Sequence, residues 1–192
     1  RPHMPWLCAN VSRNELEDSM KASDLFVRAL ENEGVEYVFG LQGEENLDLV
    51  ESLRTSRIKL ILCRHEQAAG FMAATYGRLT GKPGVVLVTS GPGATNAVTG
   101  ITDALMDSIP IVVLSGQVAN HLIGNDAFQE CDTVGITRPC TKHNYLVKNI
   151  ADLPSILHEA FHIAASGRPG PVVIDIPKDV QFAKGTYYKP NT

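Results

Sequence analysis

Several features that would announce a function are missing from this chain of 192 residues. Cysteines occur only at 8, 63, 131 and 140, and no two are spaced as C-x-x-C. The histidines at 65, 121, 143, 158 and 162 complete no zinc pattern with them. The sequence therefore predicts no metal site of its own, and Cys63 and Cys140 read as small buried hydrophobes rather than disulfide partners. Positive charge is not in excess: Lys+Arg is 17, Asp+Glu is 21 and the net charge is -4. With no basic run and no basic-aromatic stripe, nucleic acid is not an expected partner. The longest apolar runs, such as Ile109 to Leu114, are strand-sized and too short to cross a membrane. Neither G-x-G-x-x-G nor G-x-x-x-x-G-K-[ST] occurs, so the usual glycine-rich phosphate cradles are absent. Residues 1 to 20 lack the apolar stretch of a signal peptide and the composition of a transit peptide. They read as a leader or an artificial remnant. A reducing compartment is expected: the cytoplasm, or an organelle if the source is eukaryotic.

What is present is a regular alternation. Ser23 is placed to cap a helix through Glu33, with Leu25, Phe26, Ala29 and Leu30 on one face and Gly34 as its stop. Strands are predicted at 35–39, 58–63, 85–89, 110–114, 141–147 and 172–176. Helices are predicted at 46–53, 65–80, 94–106 and 152–166. Strands that are apolar throughout, separated by helices, predict an α/β fold: a parallel sheet of about six strands with helices on both faces. The domain is placed at 21–183, with 184–192 beginning a linker to a further domain. In such sheets ligands sit beyond the carboxyl ends of the strands. Glu66, the turn Gly91-Pro92-Gly93 and Gly116-Gln117 all follow strand ends and are expected on that rim. The connection 117–140 is long, with a short helix predicted near Asp126 to Asp132 and Phe128 as a candidate core residue.

Each of these features has a plain structural reading. A carboxylate at a helix start contributes up to about 1 kcal/mol through the helix dipole, and that alone could account for Glu66. Gly91-Pro92-Gly93 could be no more than a tight turn. Arg168-Pro169-Gly170-Pro171 could be a rigid turn carrying a solvated arginine. Gly70, Ala73, Ala74 and Gly77 form a small-residue stripe that would let another helix or a partner chain come close, so self-association through this stripe is expected.

Arg64-His65-Glu66-Gln67, then Ser90 to Asn96, together with Lys82 to Asn96, Asp103 to Val118, His121 to Asp132, Ile136 to Lys148 and Ser166 to Gln181, resemble one family. It is the acetolactate (acetohydroxyacid) synthase large subunit, a thiamine diphosphate enzyme, and the likeness is to its N-terminal pyrimidine-binding domain over about 22–183. The resemblance implies a flavoprotein of branched-chain amino acid biosynthesis. It decarboxylates pyruvate and condenses the two-carbon unit with a second 2-oxoacid, pyruvate or 2-oxobutyrate. It implies that Glu66 activates the cofactor at the pyrimidine ring. Pro92 and Asn96 match residues packed near that ring, and Gln129, beside Phe128, matches one facing cofactor and substrate. Ser108 and Arg168 match FAD-side positions, and Lys142 a position lining the substrate channel. The chain has no counterpart of the family's diphosphate signature, so it should hold only the pyrimidine end of thiamine diphosphate. FAD and Mg²⁺ belong to the full-length enzyme, a dimer or larger, with a regulatory small subunit among its implied partners. The fragment alone should be inactive.

The chain departs from the family at Gln42, Glu44 and Glu45, where the usual motif carries proline, glycine and alanine, and at Ala119, where it carries proline. The first departure lies near the substrate entrance, the second where herbicidal inhibitors bind. Two other readings stay open: a domain of another thiamine diphosphate-dependent 2-oxoacid decarboxylase or oxidase, and a non-catalytic dimerisation module.

Overall fold

A computed structural model describes residues 19–186. Residues 1–18 of the expected leader and the last six residues lie outside that span, while Met20, expected to end the leader, belongs to the domain's first strand. In chain order the elements are β1 (Met20–Lys21), α1 (Ala22–Asn32), β2 (Tyr37–Gly40), α2 (Leu47–Leu53), β3 (Lys59–Leu62), α3 (Glu66–Thr80), β4 (Gly84–Val88) and α4 (Pro92–Met106). There follow β5 (Ile111–Gln117), α5 (Thr133–Thr137), β6 (His143–Leu146), α6 (Leu153–Ala165), β7 (Pro171–Pro177), α7 (Lys178–Phe182) and β8 (Lys184–Gly185). Among the described residues, six strands form one sheet in the order β3-β2-β4-β5-β7-β6. Every pairing within it is parallel.

The continuous apolar strands have a direct cause. Alternate residues of one strand feed opposite cores, because side chains along a strand point to opposite faces. Val85 and Leu87 of β4 pack with Leu25, Phe26 and Leu30 of α1 and with Leu157 and Phe161 of α6. Val86 and Val88 pack on the other face with Ala69 and Ala73 of α3 and Ala97 and Ile101 of α4. β6 is an edge strand whose residues are only half-buried or exposed, which is why its pattern in the sequence is weak.

Three expectations change. Ser23 does not cap α1. The helix begins at Ala22 with no side-chain cap, and Ser23 is fully buried, accepting a hydrogen bond from Ser52 Oγ at 2.9 Å. The start of the helix is held instead by the Ala22 N–H, which donates to the Ala183 carbonyl at 2.8 Å. Lys184 and Gly185, expected to open a linker, pair antiparallel with β1 and close the domain beside α1.

The third change concerns the small-residue stripe. It faces inward, onto α4 and the sheet. A Cβ on Gly70 would lie 3.0 Å from the Gly100 Cα, and one on Gly77 would lie 2.6 Å from the Pro110 carbonyl oxygen. The two helices therefore cross backbone on backbone, and the stripe is filled by the chain's own packing rather than left for a partner. The opposite side of α3 carries the exposed apolar residues Phe71, Met72 and Leu79, with Met72 Sδ 3.7 Å from Cys63 Sγ, just past edge strand β3.

The Gly70–Gly100 crossing is testable. Overpacking a filled contact typically costs about 1–3 kcal/mol. Gly100→Val is expected to lower the unfolding free energy, read from urea denaturation, by about that much, independently of protein concentration. A variant of unchanged stability that dissociates from a larger assembly would return the stripe to an interface role.

Candidate functional site

All six parallel strands deliver their carboxyl ends to one rim. α3 leaves that rim through His65, whose Nδ1 accepts the Gln67 N–H at 3.2 Å as the helix cap. Glu66 is the first residue of the helix and is buried at 7% exposure. α4 leaves the same rim with Pro92 in its first turn, where the missing N–H costs nothing. Its cap, Gly91, has φ 51°, and a Cβ there would stand 2.3 Å from the Gln129 carbonyl oxygen. Both the backbone angle and the close contact demand glycine.

The helix crossing sets the register of the site. Gly70 and Gly100 touch, and one turn earlier on each helix stand Glu66 and Asn96. Asn96 Nδ2 donates to Glu66 Oε2 at 3.0 Å. The other oxygen, Oε1, lies toward the start of α4, 3.5 Å from the Cβ position of Gly93. Two helix N-termini thus converge on one nearly buried carboxyl group.

The connection after β5 completes this rim, but not as a helix at 126–132. Gly124, Asp126 and Gln129 all adopt positive φ. The Glu130 carboxylate gathers the loop instead, accepting from the Gly124 N–H and from the Ala127 N–H at 2.9 Å. Those bonds hold its carboxyl below the usual range. The helix forms later, as α5, where Asp132 Oδ1 caps the Gly135 N–H at 2.9 Å. Phe128 is not in the core; it is 73% exposed.

The loop carrying the departures also lies on this rim. Asn46, fully buried, orders it by donating to the Leu41 carbonyl at 3.0 Å and accepting the Gly43 N–H at 2.8 Å. The Glu45 N–H donates to Thr89 Oγ1 at 3.2 Å, and Gln181 Nε2 donates to the Glu45 carbonyl at 2.7 Å. Lys178 Nζ stands 3.5 Å from Glu44 and 3.7 Å from Glu45. Burial pushes the Glu45 carboxyl upward, and Lys178 opposes it. Gln42 and Glu44 are exposed while Glu45 is buried.

Three of the sequence-predicted residues go elsewhere. Ser108, Lys142 and Arg168 precede β5, β6 and β7, so they lie on the opposite rim. Arg168 Nε donates to Ser108 Oγ at 2.7 Å and Nη2 to the Met106 carbonyl at 3.1 Å. Lys142 Nζ donates to the Ser166 carbonyl at 2.7 Å and to the Ile163 carbonyl. Both cations sit at helix C-termini, where the dipole favours them. The structure therefore brings together Glu66, Pro92, Asn96 and Gln129 and separates them from Ser108, Lys142 and Arg168.

Asp175 is a buried group that the sequence did not single out. It lies in β7 at 1% exposure, accepts from Gln117 Nε2 at 2.8 Å through Oδ2, and has no hydrogen-bond partner at Oδ1. Burial pushes its carboxyl up from 3.8 to about 7, against the opposing pull of Gln117 and Ser115 and with Asp132 adding to the rise. The only sequence signal was one acidic residue inside an otherwise apolar strand, Val172 to Ile176. Because the folded pKa is the higher one, Asp175's contribution to stability is present in full below the ordinary carboxylate range. It is lost as pH rises through about 7. Asp175→Asn, neutral throughout, should flatten this dependence. Urea unfolding at pH 5 and pH 8.5 should show the variant gaining on the unmodified chain at the higher pH, by no more than about 3 kcal/mol. An unchanged difference between the two pH values would show that Asp175 does not titrate there.

The three cysteines within the described span, Cys63, Cys131 and Cys140, are free thiols. Cys140 is buried, whereas Cys63 is only half-buried. Among the described residues no group of three or more His, Cys, Asp or Glu could hold a metal ion, and no helix is long and apolar enough to cross a membrane.

A family model described as "Thiamine pyrophosphate enzyme, N-terminal TPP binding domain" matches residues 20–136. The chain is 57% identical over 162 residues to the acetolactate synthase large subunit of Buchnera aphidicola subsp. Schizaphis graminum, covering 84% of this chain and 28% of that protein. It is 58% identical over 164 residues to acetolactate synthase isozyme 3 large subunit of Escherichia coli, covering 85% and 29%. It is 51% identical over 172 residues to the chloroplastic acetolactate synthase of Arabidopsis thaliana, covering 89% and 26%. The chain thus spans less than a third of the length of these relatives.

Proposed function

Because the chain belongs to the thiamine pyrophosphate enzyme family, as its N-terminal TPP binding domain, we propose that it supplies the pyrimidine side of the active site of an acetolactate synthase large subunit. In this reading the complete protein is a carboligase. Bound thiamine diphosphate supplies an electron sink that lets pyruvate lose carbon dioxide and its two-carbon unit join a second 2-oxoacid.

The observation that carries the proposal is the Glu66 carboxyl, nearly buried at the start of α3 and held by Asn96 at 3.0 Å. Asn96 occupies Oε2 and so fixes which oxygen faces the rim. Glu66 would hold and return a proton there, to a ring nitrogen of the pyrimidine. Pro92 and the Gly91 turn would bound the ring, and Gln129, whose carbonyl packs on Gly91, would line the neighbouring wall. A carboxyl with one committed oxygen and one free to a ligand suits a planar heterocycle that offers one ring nitrogen to it. The diphosphate and Mg²⁺ are assigned to a domain outside this chain.

FAD fits the described residues less well. Ser108 and Arg168 are bonded to each other and to α4, on the rim away from Glu66. The exposed apolar face of Phe71, Met72 and Leu79 supports self-association by a surface other than the small-residue stripe. Pyruvate and 2-oxobutyrate as substrates and a regulatory small subunit as partner belong to the same proposal. So does a cytoplasmic location, or an organellar one in a eukaryote, in keeping with the chloroplastic names of the plant relatives.

Glu66→Gln tests the proposal in the complete subunit. The near-isosteric amide still accepts from Asn96, so the fold should survive, while proton exchange at the ring is lost. Hydrogen–deuterium exchange at the thiazolium C2 of bound cofactor should slow by about 10²–10⁴-fold, the usual scale of general acid–base assistance. Exchange at the unmodified rate would reduce Glu66 to a helix-end carboxylate. The 192-residue chain by itself, given excess thiamine diphosphate and magnesium, should form no acetolactate from pyruvate. Magnesium-dependent turnover by it would contradict the division of the site between domains.

A further inference from the structure

Gln117 is the last residue of β5 and is buried at the carboxyl rim. Its amide is fully committed. Nε2 donates to Asp175 Oδ2 at 2.8 Å and to the Cys131 carbonyl at 2.9 Å, while Oε1 accepts the Val118 N–H at 2.9 Å. The orientation is unambiguous. A flipped amide would set its oxygen against a carboxyl group and a carbonyl, and its NH₂ against an N–H donor. Asp175 sits on the adjacent strand β7, beside Ser115 in the ladder, and presents the acceptor from below.

Cys131 ends the segment that carries Phe128 and Gln129. That segment has no helix of its own, and the bonds that shape it run through Glu130 at its surface. Two of its contacts tie it to the elements of the rim. One is the Gln129 carbonyl against the cap of α4; the other is the Cys131 carbonyl on Gln117. The path from the core to the site is therefore continuous: Asp175, Gln117, Cys131, Gln129, Gly91, and then the first turns of α4 with Asn96.

We propose that Gln117 and Asp175 are positioning residues, a buried couple that anchors the 124–131 segment and so sets Phe128 and Gln129 over the rim occupied by Glu66. Neither touches the candidate ligand position. Their effect is transmitted through the backbone carbonyl of Cys131. The functional part of this inference rests on the proposed reading of the site; the anchoring part does not.

The experiment has two arms. The first is amide hydrogen exchange on the 192-residue chain. Gln117→Met keeps the volume and removes both donors. Exchange at Asn125, Glu130 and Thr133, each protected by a bond within the connection, should rise about five- to tenfold. Exchange in α6 should stay unchanged. Asp175→Leu should give a smaller rise at the same amides, because Gln117 keeps Cys131 but loses its support. Asp175→Asn retains an acceptor for Gln117 and should restore the unmodified rates. A uniform rise across the domain, or no rise in the segment, overturns the anchoring. If Gln117→Met fails to fold, the contrast between Asp175→Leu and Asp175→Asn decides in its place.

The second arm uses the complete subunit with pyruvate as probe. Gln117→Met should raise KM several-fold with kcat nearly unchanged, and Asp175→Asn should match the unmodified enzyme. An unchanged KM in Gln117→Met, with Glu66→Gln slowed as expected, would overturn the positioning role and leave the functional reading standing. A shift in segment exchange, with no thiamine-dependent turnover by the unmodified subunit, would do the reverse.

Discussion

Backbone contact between α3 and α4 is the constraint on which the candidate site depends. Gly70 and Gly100 leave no room between the helices, since a Cβ on either would lie 3.0 Å or less from the other's Cα. One turn toward each N-terminus stand Glu66 and Asn96, thirty residues apart in sequence, as are the two glycines. The same thirty-residue offset at both levels means that the crossing and the hydrogen bond share one register. A side chain larger than glycine at the crossing would separate the helices and open the Asn96–Glu66 bond along with them. Packing in the second core and orientation of a carboxyl at the rim are therefore one mechanical problem.

The sheet adds a polarity to this arrangement. Six parallel strands deliver every following loop to one rim and every preceding loop to the other. The carboxyl rim collects carboxyl groups and amides: Glu66, Glu45, Asn46, Asn96 and Gln117. The opposite rim collects cations at helix ends, with Arg168 on α4 and Lys142 on α6. That division follows from the helix dipole. It separates residues that the family resemblance placed in one functional list. A side chain bonded to two carbonyls at a helix C-terminus has a sufficient structural reason for its identity, whatever it does in a larger assembly.

Much of this was legible in the residues. Uninterrupted apolar strands such as Val85 to Val88 and Ile111 to Leu114 can only be buried on both faces, and their alternation with amphipathic helices leaves a parallel sheet as the consistent arrangement. The placement of Glu66, Pro92 and Asn96 on one rim follows from that topology without any contact being known. The helix ends were legible where a local signal marks them, as at Gly81, which closes α3 in the left-handed conformation. Ser23 shows the converse. Its type signals a cap, yet the Ala183 carbonyl satisfies the helix start and releases the hydroxyl to a buried pair with Ser52.

Periodicity and residue type, acting alone, determined the fold class, the two-sided core and the rim on which Glu66 lies; the resemblance, not the pattern, singled out that carboxyl. These depend on which positions are apolar and which loop follows which strand, and both are local properties of a chain. Only the tertiary structure decided what each surface packs against. It turned the small-residue stripe onto α4 rather than onto a partner. It replaced a helix at 126–132 by a loop gathered on Glu130, and it joined Gln117 to Asp175 across 58 residues of sequence. A stripe, a carboxylate or an amide states what it can bond with. Which partner it meets is set by the distance between elements, and that distance exists only once both faces of the sheet are covered.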